Sequence, residues 1–137
     1  MNAQMNTTLK PAIAILLLAA LLLACLLLIG LVHLATATGL IIGNATPSVP
    51  RGLYMRDEPH KAQYVTFCLQ TRHRTKSFYK MACSRDAPHK TRILKRIVKR
   101  NTDGTLIVEG DTPNALDSRI LGPITPSQIR GYWRPLI

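Results

Sequence analysis

Two residues of this 137-residue chain have the types and surroundings for covalent chemistry, Ser48 and Lys95. Ser48 stands in Thr46-Pro47-Ser48-Val49-Pro50-Arg51-Gly52, six residues beyond Ile42, where a long apolar stretch ends. Pro47 and Pro50 restrict φ on either side of it, which suits a hydroxyl held in one place. Lys95 lies in the run Ile93-Leu94-Lys95-Arg96-Ile97-Val98. Side chains alternate faces along a strand, so Ile93, Lys95 and Ile97 share one side. Loss of hydration on such a face disfavours the ammonium form and lowers the lysine pKa. A neutral amine can then take the proton of a serine hydroxyl, a weak nucleophile without a base. The bland alternative is a lysine at a sheet edge that extends its charge into water. Composition alone does not choose between the two. A Ser-His pair built from His60, His73 or His89 is less suited, because all three lie in polar stretches and a catalytic histidine needs an ordering partner.

The elements that must position these residues begin with the N-terminal third. Residues 12–32, 21 in all, carry no charged or polar side chain other than Cys25. About 20 apolar residues match a hydrocarbon core of roughly 30 Å. Residues 34–42 continue the run weakly beyond His33. Ala35-Thr36-Ala37 reads as a small-residue cleavage site, but signal-peptide apolar cores run to about 7–15 residues, so a retained transmembrane helix is expected. The chain then divides into a tail (1–11), an anchor (12–42) and one small domain (43–137). Lys10 is the only Lys or Arg before Gly43; the other 17 of the 18 lie beyond it, with all 7 Asp and Glu. The positive-inside rule weighs short loops, and domains longer than about 60 residues cross largely regardless of charge, so orientation stays open on that ground.

The basic charge falls mostly in 72–80 and 85–100 and favours anionic lipid headgroups. No helix there carries a basic stripe with interleaved aromatics, and no nucleic-acid partner is expected. Cys68 and Cys83 are the only cysteines of the C-terminal part. They could close a disulfide in an oxidising compartment, although two free thiols fit the same composition. No Cys-x-x-Cys or His-rich spacing suggests a metal. The Asn-x-Thr triplets at Asn6 and Asn44 carry no weight.

Residues 44–54 read as a linker rich in Pro and small residues. Residues 63–69 alternate as a strand, and 70–80 as a loop or exposed hairpin. Two further strands, 93–100 and 105–109, flank Asn101-Thr102-Asp103-Gly104, whose Asp-Gly pair tolerates the positive φ of a hairpin turn. A short helix is expected over 126–130, with Thr125 as its cap and Pro126 first. Tyr132 and Trp133 read as a cap on the sheet or as interfacial anchors.

Three segments, in order after an apolar helix, resemble a known family: "TPSVPRGLY" (46–54), "ILKRIV" (93–98) and "GDTPNALDSRILGPI" (110–124). They are similar to type I signal peptidases, and in particular to the conjugative-transfer branch, the TraF-type pilin-maturation peptidases. "VTFC" (65–68) and "MACS" (81–84) resemble that branch as well. The resemblance implies a mainly β fold, a small signal-peptidase-like catalytic core on one N-terminal transmembrane helix. It implies Ser48 as nucleophile and Lys95 as general base. The oxyanion hole would be the Ser48 N–H and the Thr46 hydroxyl, and Asp117, Ser118 and Arg119 would brace the site.

Two departures stand out. Ala115 occupies the position, two before Asp117, where family members carry a serine that orients the lysine. Only 14 residues separate Lys95 from Gly110, so the additional β subdomain of larger relatives is missing.

The expected activity is that of a serine endopeptidase cleaving signal-peptide or propilin-type precursors, with no cofactor or metal. The expected location is the bacterial inner membrane, single-pass, with the domain on the periplasmic side. The rival class is a non-catalytic, membrane-tethered basic module of a secretion or conjugation apparatus.

Overall fold

In the computed structural model, residues 5–136 are described. The chain divides after Gly39 into two units. The first is helix α1 (Met5–Ala37), whose stretch from Pro11 is long and apolar enough to cross a membrane. At 1.5 Å per residue its 27 residues span roughly 40 Å. Of the tail expected over 1–11, residues 1–4 lie outside the described residues, and from Met5 the backbone is already helical. Pro11, which has no N–H to donate, stands inside that helix.

The helix stops well before Ile42. The Thr36 hydroxyl donates to the carbonyls of Val32 and His33, and the Thr38 hydroxyl to those of Leu34 and Ala35. Gly39 follows with φ of 69° and donates its N–H to the Thr36 carbonyl at 3.0 Å. A left-handed glycine just past the last turn ends a helix. Ile41 and Ile42, expected in the anchor, therefore belong to the second unit.

That unit is one antiparallel sheet of β1 (Ile41–Asn44), β2 (Gly52–Arg56), β3 (Tyr64–Phe67), β4 (Ile93–Arg100), β5 (Leu106–Glu109) and β6 (Ile129–Pro135). The strand order is β1-β2-β6-β3-β4-β5. The supposed linker 44–54 thus gives its ends to β1 and β2. The β4–β5 hairpin turns where Asn101 to Gly104 require it: Gly104 has φ of 80°, and the Asn101 N–H donates to the Thr105 carbonyl at 2.9 Å. Residues 70–80 form two single turns, Thr71–His73 and Ser77–Lys80, with no hairpin.

β3 alternates as its sequence suggests, but both of its faces are covered. Val65 and Phe67 pack with Leu69, Val108, Leu121 and Ile124. Tyr64 packs on the other side with Val49, Tyr54, Leu94 and Trp133. Trp133 is 1% exposed, and its Nε1–H donates to Thr66 Oγ1 at 2.9 Å. It is a core residue of a central strand, neither an interfacial anchor nor a cap. The helix expected over 126–130 is one turn, Pro126–Gln128, in which the Thr125 N–H donates to Gln128 Oε1 at 2.9 Å. From Ile129 the backbone is extended as β6. Gly131 makes room there, since a β carbon on it would stand 2.8 Å from the Trp133 ring.

After β5 comes one helical turn, α2 (Ser118–Leu121), capped by the Asp117 carboxylate. Asp117, Ser118 and Arg119 are therefore a cap and a turn, where an extended piece would have put Asp117 and Arg119 on one face. Cys68 and Cys83 are bonded, with their Cα atoms 4.8 Å apart. The bond pins the 69–82 segment to the end of β3.

Candidate active site

The β1–β2 connection carries Ser48, and Asn44 shapes it. The Asn44 side chain accepts from the Thr46 N–H at 3.1 Å and from the Thr46 hydroxyl at 2.7 Å. Its amide donates to the carbonyls of Thr46, Val49 and Pro50 at 3.0–3.1 Å. One side chain thus satisfies five backbone and hydroxyl groups of a loop that has no ladder of its own. Val49 anchors the loop from below, buried beside Tyr54, whose hydroxyl donates to the Pro50 carbonyl at 2.6 Å. Sequence reasoning passed over Asn44. The signal was an Asn two residues before a Thr, the spacing at which an Asx turn closes on the backbone.

Lys95 reaches the loop from β4. It pairs with Val65 in the sheet and is 3% exposed. Its Nζ lies 2.7 Å from Ser48 Oγ. Burial pushes the amine below the ordinary lysine pKa; the Asp117 carboxylate opposes that shift and the Arg119 guanidinium adds to it. Among the described residues Ser48 is the only hydrogen-bond partner of Lys95 Nζ. Ala115 is buried beside Gly110 and offers no hydroxyl, and the Ser118 hydroxyl is turned to β5, accepting from the Val108 N–H at 2.9 Å.

Asp117 is fully buried. Its carboxylate accepts from the Gly110 N–H at 2.9 Å, from the Arg119 N–H at 3.0 Å, and from the Arg119 guanidinium. Burial would raise its pKa, but these donors outweigh it and hold the carboxyl below its usual value. Arg119 also donates to the carbonyls of Gly110 and Thr112. This network fixes the chain after β5, where the Asp111 N–H donates to the Ser48 carbonyl at 2.8 Å.

Thr46 Oγ1 is 3.3 Å from Ser48 Oγ. Among the described residues the Ser48 N–H has no acceptor. A hydroxyl, an amine whose charged form burial disfavours and an N–H without an internal acceptor can, in this arrangement, transfer a proton and stabilise a developing oxyanion.

A cleft of about 670 Å³ opens beside Ser48, with Ile42, Phe78, Met81, Ile93 and Leu116 on its walls. The histidines lie elsewhere. His60 pairs with Glu58 at 3.3 Å on the surface, and His89 is exposed. His73 sits in a polar stretch yet is buried, which lowers its pKa.

Fold and site together define a small antiparallel β domain that brings one serine hydroxyl to one buried lysine amine. No family model, curated protein or solved structure matches the chain.

Proposed function

We propose that the chain is a membrane-anchored serine endopeptidase with a Ser-Lys pair, resembling type I signal peptidases of the pilin-maturation branch. Its substrates are signal-bearing or propilin-type precursor proteins. The observation that carries this reading is the 2.7 Å contact between Ser48 Oγ and a lysine amine that burial favours in its neutral form.

In the reaction, Ser48 Oγ attacks the scissile carbonyl while Lys95 Nζ takes its proton. The oxyanion forms against the Ser48 N–H and, after rotation of its hydroxyl away from Asn44, Thr46. Lys95 then returns the proton to the leaving amine, and water resolves the acyl-enzyme by the same route. The substrate lies extended beside β1, an edge strand whose Gly43 and Asn44 line the cleft.

The helix α1 holds the domain at the bacterial inner membrane, and the Cys68–Cys83 bond favours the periplasmic side. The test follows cleavage of a signal-peptide reporter and a propilin-type precursor in membranes. Ser48→Ala and Lys95→Ala each abolish processing at unchanged protein level. Persistent cleavage in either removes the pair from the mechanism and leaves the basic tethered module as the better reading.

A further inference from the structure

The cleft is asymmetric in charge. Of its lining residues only Lys95 and Arg92 are basic, none is acidic, and the walls are otherwise mostly apolar. Lys95 is buried against Ser48. Arg92 is exposed and makes no ion pair among the described residues, whereas Arg74, Arg96 and Arg119 pair with Asp86, Asp111 and Asp117.

The backbone on both sides of Arg92 is fixed. The Thr91 carbonyl accepts from the Cys83 N–H at 2.8 Å, and Cys83 is bonded to Cys68. Ile93 pairs with Phe67 in the sheet. Arg92 therefore lines the cleft from an anchored root, with no ion-pair partner among the described residues.

We propose that Arg92 forms a subsite for an acidic side chain of the precursor, a specificity element that rests on the peptidase reading above. A guanidinium binds a carboxylate through two parallel, charge-assisted hydrogen bonds, and no other group on the cleft competes for it. Arg92 stands three positions before Lys95, immediately ahead of β4. Both residues line one cleft, so the acidic residue falls within a few positions of the scissile bond. The positive domain would also draw an acidic segment toward the cleft before contact.

The test uses the full chain in phospholipid liposomes and a series of fluorogenic octapeptides with small residues at the scissile bond. Asp, Asn or Lys is placed two, three or four positions away on either side. The native protein is expected to prefer Asp over Asn by about tenfold in kcat/KM at one of these positions. Arg92→Gln removes the preference, and Arg92→Glu transfers it to the Lys peptide. Anisotropy measurements of peptide binding to the Ser48→Ala protein should show the same order. A native protein that does not discriminate, in cleavage or in binding, overturns the proposal, as does an Asp preference that survives Arg92→Glu. The peptidase reading fails separately, if the Ser48→Ala protein still cleaves.

Discussion

The β carbon that Gly110 lacks would fall 2.8 Å from the carbonyl oxygen of Ser48. The same atom would stand 2.4 Å from Ala115 Cβ and 3.3 Å from Lys95 Cδ. Glycine thus lets the end of β5 pass against both members of the pair at once. Gly110→Ala must push the Ser48 loop and the lysine apart. Overpacking of this kind costs about 1–3 kcal/mol of stability. Proton transfer depends on contact, so cleavage should fall by at least about tenfold in protein that is still folded. Single-turnover cleavage beside a denaturant titration checks this. A rate loss explained by the unfolded fraction alone would contradict it.

Activity should rise with pH and reach half its maximum below the ordinary lysine value of 10.5, because the base must be neutral and burial lowers its pKa. Asp117 opposes that shift, so Asp117→Asn should move the midpoint to lower pH while reducing stability. The linkage has a definite sign. Folded Lys95 sheds its proton at lower pH than the unfolded chain does, so its contribution to stability is complete above the unfolded pKa. It is lost as pH falls through the folded one. Lys95→Met removes that slope, which pH-dependent denaturation curves would reveal. A midpoint at or above 10.5 would refute the neutral-amine base.

In the proposed mechanism Asn44 acts through Thr46. Its carboxamide oxygen can only accept, so the Thr46 hydroxyl spends its proton there in the resting loop. Asn44→Ala frees that proton but also leaves three loop carbonyls without their donor. We expect kcat to fall by about tenfold or more with KM little changed, since an oxyanion donor acts in the transition state. Thr46→Val should cost a similar factor, and the double variant little more than either alone. Additive losses would show that the two residues work independently.

The features legible in the sequence were those with local causes. The Asn101-Thr102-Asp103-Gly104 turn, the extended backbone of β4 and the apolar helix each follow from a few neighbouring residues, whereas Leu94 and Lys95 of β4 are both buried where alternation would separate them. The local setting of Ser48 and Lys95 left their roles open and the family resemblance named them as a pair; the fold brings them into contact. What escaped depends on distant partners. Ile129–Pro135 alternates as a strand should, but Pro126 and Thr125 signalled a helix just before it, and the turn they make is complete in three residues. The burial of Trp133 depends on Gly131 and Thr66, the latter on another strand. Gly39 ended the helix where hydropathy alone ran on to Ile42.

The Cys68–Cys83 bond gives the last prediction. It closes a loop across a sequence separation of 15, and chain-entropy arguments put such a closure at about 3 kcal/mol. Paired Cys68→Ala and Cys83→Ala substitutions should lower stability by about that amount, read from the denaturant midpoint. Reducing agent should lower the native protein to the same midpoint and leave the double variant unmoved. The effect on cleavage follows from where the loop goes. Phe78, Met81 and Ala82 lie within it and line the cleft, whereas Ser48 and Lys95 are held by β1, β2 and β4. Loosening the loop should therefore raise KM several-fold and leave kcat nearly intact. An equal loss in kcat would mean that the loop helps set the contact between Ser48 and Lys95.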